Sequence, residues 1–256
     1  MPAMRRLTSD QLAGLAGWFL PERPGPLVGS HVLRTGHGHI LADRWPAPRA
    51  LLAEVAGNYS LSGEAAALQP ADLPLLAGFI EAPAPFVPML RAAFPGLVDW
   101  PRVILDLPGE AALGEVQFAP NAGARVRPLV PDDAGALAGL SPDAQWIFKT
   151  WGSAAGLAGS GRAWGAFVAG RLASVAGTFF AGAAYEDIGV VTEPAFRRQG
   201  LNTAAVAGLC RDIRARGLTP SWSTSTDNPA SQRVAEKVGF IRQRTDWLYV
   251  TSLEVL

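Results

Sequence analysis

The run from Tyr185 to Phe240, YEDIGVVTEPAFRRQGLNTAAVAGLCRDIRARGLTPSWSTSTDNPASQRVAEKVGF, decides how the rest of the chain is read. Ile188, Val190 and Val191 form a β-branched strand that Thr192, Glu193 and Pro194 close. Gly200 then breaks the chain ahead of Leu201, Ala205, Leu209 and Ile213, whose spacing places them on one helix face. Gly217 stands at the stop position, and Arg211, Arg214 and Arg216 suit the negative end of the helix dipole. A strand follows, and Asn228-Pro229 opens a second helix that ends at Gly239. A strand feeding a helix through a turn with glycine and two arginines points unpaired backbone N–H groups and the positive helix end at an anion such as a phosphate.

In these residues the chain resembles the GNAT superfamily of acyl-CoA-dependent N-acyltransferases. Arg197-Arg198-Gln199-Gly200-Leu201-Asn202 is similar to that family's pyrophosphate loop, with Asn202 where Gly or Ala is usual. Asn228-Pro229-Ala230-Ser231, followed by Glu236-Lys237-Val238-Gly239-Phe240, is similar to its second signature. The two pieces stand in order, separated by a helix and a strand.

Composition bounds the alternatives. At 256 residues the chain has room for two domains of about 130 each. With 22 basic and 22 acidic side chains the formal charge is zero, so no electrostatic footprint for nucleic acid or anionic lipid is expected. One cysteine, Cys210, excludes an intrachain disulfide and a zinc site built on thiolates, and its helix position predicts a buried small residue. Lacking a long apolar run or a leader-like N-terminus, the chain is expected to be cytoplasmic, with no membrane partner. His37 and His39 share a strand face but lack a third ligand, so no metal is expected; Gly159-x-Gly161 lacks the strand that a dinucleotide fingerprint needs.

The predicted fold class is α/β (α+β), a mixed, mostly antiparallel sheet flanked by helices in two domains, 1–120 and 121–256, with the boundary at Ala119–Ala124. In the first half the patterns predict a helical segment over Leu7–Phe19, a loop over Leu20–Gly29 and strands at Gly38–Asp43, Ala50–Ala56 and Tyr59–Leu61. Helices at Ala71–Ile80 and Pro85–Phe94 and a strand at Arg102–Leu107 complete it. In the second half they predict a strand at Ala124–Leu129, helices from Pro131 to Leu140 and from Ser141 to Trp151, and a loop over Gly152–Gly161. Strands at Trp164–Val168, Ala173–Phe180 and Tyr185–Thr192 follow. That order is the one the resemblance implies for a GNAT domain. The first half, with strands, helices and a further strand but no phosphate loop, is either a degenerate second GNAT-like domain or an unrelated α+β domain.

The resemblance implies a transfer of an acetyl or other acyl group from acyl-CoA to an amine, here the amine of a small molecule. It implies that Arg197, Arg198, Gln199, Gly200, Leu201, Asn202 and Thr203 hold the pyrophosphate. Asn228 caps its helix and contacts the cofactor arm, with Ser231 beside it. The backbone N–H of Val190 or Val191 receives the oxyanion. Glu186 stands where family members that take a base from this strand carry it. Asp187, its neighbour, points to the opposite face, and only one of the two can face the acceptor. Many relatives place a tyrosine acid where this chain has Ala235. A non-catalytic acyl-CoA-binding module is the alternative. Trp146, Phe148 and Trp151, with Tyr185 and Tyr249, are candidates to line an acceptor pocket or to be core. A monomer or homodimer is expected.

Overall fold

The computed structural model describes residues 4–109 and 123–252 of the chain. Among them, in chain order, the strands are β1 (Arg5–Arg6), β2 (His39–Ala42), β3 (Ala50–Val55), β4 (Asn58–Gly63), β5 (Gly78–Glu81), β6 (Val98–Asp106), β7 (Ala124–Pro128), β8 (Ala163–Val168), β9 (Arg171–Ala181), β10 (Tyr185–Thr192), β11 (Thr219–Ser225) and β12 (Ile241–Thr251). The α-helices are α1 (Ser9–Leu12), α2 (Val28–Thr35), α3 (Val87–Ala93), α4 (Ala134–Ala138), α5 (Ala154–Gly159), α6 (Leu201–Ala215) and α7 (Pro229–Val238).

The chain divides into two compact units. The first holds residues up to Glu22, Pro26–Arg102 and the segment from Thr245; the second holds Arg23–Gly25 and Val103–Arg244. The division therefore falls at Arg102/Val103, inside β6, while the boundary expected at 120/121 lies outside the described residues. β12 is likewise shared: Ile241–Arg244 belong to the second unit and Thr245–Thr251 to the first.

In the first unit the strands run β1-β2-β3-β4-β5-β12. β1 to β4 pair antiparallel and β4 with β5 parallel. In the second unit β7-β8-β9-β10 pair antiparallel and β10 with β11 parallel. The two units thus repeat one pattern, an antiparallel run ending in one parallel step. In the second unit the parallel step is bridged by α6. In the first it is bridged by two 3-10 turns, Ala65–Ala67 and Pro70–Asp72. No glycine-bearing helix N-terminus stands there.

The structure corrects several local expectations. Ala71–Ile80 is not a helix: its last residues are β5, paired with β4 and β12. The loop expected over Leu20–Gly29 ends in the first turn of α2, which Gly36 stops in a left-handed conformation. Gly152–Gly161 contains α5, capped by Ser153 Oγ accepting from Gly156 N–H at 3.1 Å. The helix expected through Trp151 is a 3-10 helix, Pro142–Trp151.

Two apolar layers flank the sheet of the second unit. On one face Leu209 and Ile213 of α6 and Val238 of α7 pack with Ile188 and Trp222. On the other Ile147, Trp151 and Leu157 pack with Val175 and Val191. Gly208 lets α6 lie flat on β8: a Cβ there would stand 2.3 Å from Trp164 Cε3. The Trp164 indole N–H donates to Asp212 Oδ2 at 2.6 Å, fixing the same contact from the polar side.

Candidate functional site

The pairing of β10 with β11 covers Tyr185↔Thr219, Glu186↔Pro220 and Asp187↔Ser221 and ends there, although both strands continue. Backbone direction alternates along β10. Ala184 C=O accepts from Thr219 N–H, Tyr185 C=O from Gly182 N–H, and Glu193 N–H donates to Ala173 C=O. Even-numbered residues of β10 therefore turn their backbone toward β11 and odd-numbered ones toward β9. Val190 lies beyond the last β10–β11 pair and turns its N–H to the side where β11 has diverged. Val191 turns to β9, opposite Val175, and its carbonyl accepts from Ser174 Oγ at 2.8 Å. Of these two N–H groups, that of Val190 is the one turned to the diverging edge.

The chain next reaches the turn at the head of α6. Arg198 and Gly200 adopt left-handed conformations, φ +63° and +74°. That geometry suits Gly200 and strains Arg198. A Cβ on Gly200 would meet nothing within 4 Å, so the glycine is required by the backbone bend and the ground in front of it is open. The helical ladder starts at Ala204 N–H to Gly200 C=O, 3.1 Å. Thr203 N–H is taken by Asn202 Oδ1 at 2.8 Å. The N–H groups of Gln199 to Asn202 precede the ladder and form, with the positive end of a 15-residue helix, a donor cradle for an anion. Asn202 replaces the usual small residue without blocking the cradle, because its side chain folds onto Thr203. Arg197 Nε reaches back to Thr192 C=O at 3.4 Å, and both arginines are exposed. The chemistry and the room fit a pyrophosphate.

Asn228 caps α7, its Oδ1 accepting from Ser231 N–H at 3.0 Å. Ser231 carries a structural duty as well: its Oγ accepts the Trp222 indole N–H at 3.0 Å, and Trp222 stacks edge-on against Phe240. Ala235 is fully buried in that layer, and Phe240 N–H donates to its carbonyl, so the residue that stands where relatives carry tyrosine is packing here.

Glu186 is the main correction. Its side chain has no exposed surface. One carboxylate oxygen accepts from Arg162 Nη1 and from Arg216 Nε at 3.1 Å. The other accepts from Arg216 Nη2 at 2.8 Å and Thr178 Oγ1 at 2.5 Å. A carboxylate enclosed by two guanidiniums and a hydroxyl holds β8, β9, β10 and the end of α6 together; it is not placed to take a proton from a substrate. Asp187 occupies the opposite face, at the last residue before the strands diverge. Its Oδ1 accepts from Ser221 Oγ at 2.9 Å, and Gly25 N–H reaches that hydroxyl at 3.5 Å. Alternation made the two acids opposite in the sequence, but their sides depend on partners 24 and 30 residues away.

The aromatic candidates separate. Trp151 is buried and donates its indole N–H to Thr178 C=O at 2.7 Å. Phe148 packs on the layer around Ile147. Trp146 stays 38% exposed, edge-on to Phe179 with ring centres 5.3 Å apart. Tyr185 is half-buried on β10. Tyr249 belongs to the first unit, packed with that unit's core. Burial pushes the Cys210 thiol far above its ordinary value. His39 Nδ1 lies 3.0 Å from Glu54 Oε2, an ordinary strand pair. Among the described residues, no helix is long and apolar enough to cross a membrane.

Comparison with known proteins bears on family and fold. Residues 140–249 match the family described as GNAT acetyltransferase. The chain is 41% identical over 218 residues to an "uncharacterized N-acetyltransferase in mutA 5'region" of Streptomyces virginiae, a match that covers 83% of this chain and 90% of that one. Among solved structures it is similar to a GCN5-related N-acetyltransferase-like protein from Streptococcus suis (TM-score 0.71, 17% identity, 94% of this chain and 98% of that one). It is also similar to a tandem GNAT protein from the clavulanic acid biosynthesis pathway (TM-score 0.59, 16% identity, 96% of each chain). That likeness, at fold level, accords with the strand pattern repeated in both units.

Proposed function

The chain belongs to the GNAT acetyltransferase family, and from that premise we propose that it moves an acyl group, acetyl in the simplest case, from acyl-CoA to the amine of a small molecule. The observation that carries the reading is the donor cradle at the head of α6, set beside the edge where β10 and β11 part. Acyl-CoA, when bound, supplies the acyl group in activated thioester form. The N–H groups of Gln199 to Asn202 hold its pyrophosphate, Arg197 and Arg198 add positive charge, and Asn228 with Ser231 shapes the neighbouring helix start. Val190 N–H is the donor for the developing oxyanion; one such donor is typically worth ~10²–10³ in rate.

Asp187, 5% exposed and bonded to Ser221 at the edge where β10 and β11 part, is the remaining carboxylate of β10 and is assigned the acceptor side. Presenting a lysine-like amine of pKa ~10.4 in neutral form at pH 7 costs about 4.6 kcal/mol; the carboxylate's part is to take the proton as the nitrogen bonds to the acyl carbon and becomes acidic. Ala235 offers no proton to a leaving thiolate, and a thiol of pKa ~8.5 leaves without one. The same buried alanine favours a second reading, a module that binds acyl-CoA without turnover.

The deciding experiment measures thiol release from acetyl-CoA with a broad panel of amines, alongside calorimetric binding of acetyl-CoA. Turnover supports transfer; binding without turnover on any acceptor supports the second reading. Gly200→Glu puts an anionic side chain into the cradle and is expected to abolish acetyl-CoA binding. Unchanged affinity in that variant removes the loop from the site.

A further inference from the structure

We propose that Arg171 binds the 3′-phosphate of the CoA nucleotide, so that the chain selects the phosphorylated cofactor over its 3′-dephospho form. The inference rests on the acyl-CoA reading and adds a residue that decides which form of the cofactor is held. Its origin is a register step in the β8–β9 pair. Ser174 stands opposite Ala166 and Leu172 opposite Phe167, so Ala173 is an extra residue with no partner there. Val175 packs in the layer of Ile147 and Trp151, and unbroken alternation would send Arg171 to that same face. The extra residue inverts the alternation, as a bulge does when it re-aims a side chain. Leu172 then joins the layer of Val175, while Ala173 packs with Leu201, the first residue of α6. Arg171 pairs with Val168, which packs in the Leu201 layer too, so the arginine emerges on the face that carries the head of α6.

There its guanidinium carbon lies 5.7 Å from the centre of the Phe196 ring. Phe196 packs against the Leu201 layer and directly precedes Arg197 and Arg198. The ring thus ties an arginine of β9 to the loop assigned to the pyrophosphate. The thioester end of the cofactor is led to Val190, where β10 parts from β11; β9 lies on the other side of β10, so the nucleotide leaves the cradle toward Arg171. The 3′-phosphate, a monoester of about −1.5 to −2 charge at pH 7, is the anion that the cradle leaves unserved. Among the described residues, none of Arg171, Arg197 and Arg198 forms an ion pair with a carboxylate. Glu193, the acid nearest the loop in sequence, is taken by Ser141, whose N–H and hydroxyl each donate to it at 2.9 Å. Arg127 makes the contrast. It also stacks on a phenylalanine, Phe167, but Asp133 closes its fork. The fork of Arg171 is exposed, and two of its N–H groups can meet one phosphate.

The test is calorimetric binding of acetyl-CoA and of 3′-dephospho-acetyl-CoA to the full chain. The parent is expected to bind acetyl-CoA about tenfold more tightly, the size of one charge-assisted contact near solvent. Arg171→Ala should lose that tenfold for acetyl-CoA and leave the affinity for the dephospho form unchanged. Arg171→Lys, which keeps the charge without the fork, should recover part of it. Arg125 is exposed and pairs with Phe167 on the opposite face of the same sheet, so Arg125→Ala controls for general charge and should preserve the full discrimination. Equal affinities in the parent, discrimination that survives Arg171→Ala, or equal weakening of both ligands by that variant overturns the assignment while acyl-CoA binding stands. Loss of discrimination in Arg125→Ala overturns it as well, since net charge would then suffice. If the parent binds neither ligand, the acyl-CoA reading falls and this inference with it.

Discussion

Replacing Glu186 by glutamine separates a structural carboxylate from a catalytic one. The variant keeps the side chain's shape and an acceptor for Thr178, and removes one negative charge from between two guanidiniums. Glu186 is 0% exposed, whereas the side chains of Arg162 and Arg216 keep 22% and 27% of their surface in solvent. Removing one partner of a fully buried pair typically costs 3–5 kcal/mol. Because the cations here remain partly hydrated, a loss of about 3 kcal/mol is expected, or roughly 6–12 °C in Tm for a chain of this size. Thermal unfolding followed by circular dichroism measures it. Below the lowered Tm, the variant's kcat should stay within a few-fold of the parent's, whereas Asp187→Asn should lower kcat by ~10²-fold or more. An unshifted Tm together with a collapsed kcat in Glu186→Gln would refute the reasoning and return the base to Glu186.

Other outcomes follow from single contacts. Gly208→Ala gains helix propensity of about 1 kcal/mol but drives a methyl into the Trp164 ring, for a net loss of about 1–2 kcal/mol in urea unfolding; a stabilised variant would show that the ring gives way freely. Cys210, buried and held as the neutral thiol, should react with an aromatic disulfide reagent only after unfolding, leaving thiol-release assays without background from the protein; fast reaction of the native chain would contradict its burial. Asp133 is held below the usual carboxylate range chiefly by its hydrogen bonds from Arg127, with a smaller contribution from Val130 N–H, against the opposing effect of burial. Its folded value is depressed, so its stabilisation is present above the unfolded value of about 3.9 and is lost as pH falls through the lower folded one. Asp133→Asn should therefore lower Tm at pH 7, and the gap should close as pH falls below about 4; a gap that stays constant with pH would contradict the ion pair.

The second unit was legible where its signals are local. Gly200 at a strand-to-helix turn, Asn228 before Pro229 and the spacing of Leu201, Ala205, Leu209 and Ile213 each state their structure within a few residues. Misreadings came where partners decide. Leu73, Leu76 and Ile80 are spaced as on a helix face, yet Gly78–Glu81 is a strand because β4 and β12 supply its hydrogen bonds. In α5 a Gly/Ala stretch of low intrinsic signal is ordered by the Ser153 cap and by the burial of Leu157. The Glu186/Asp187 choice could not be made locally, since alternation opposes two neighbours without saying which layer either meets. The Ala173 bulge leaves no mark in composition at all: it is a register step, visible only when β9 lies against β8.

The sharing of β6 and β12 between the units bears on how the chain is made. β6 is synthesised early, yet its second half, Val103–Asp106, belongs with a sheet encoded mostly downstream; Thr245–Thr251, synthesised near the end, belongs with the first unit. The first unit's strand set is therefore incomplete on the ribosome until the last described strand has emerged. Neither half can be excised at the middle of the sequence as an intact piece. A gene cut between residues 120 and 121 would give one product without Thr245–Thr251 beside β5 and another without the segment Val103–Asp106.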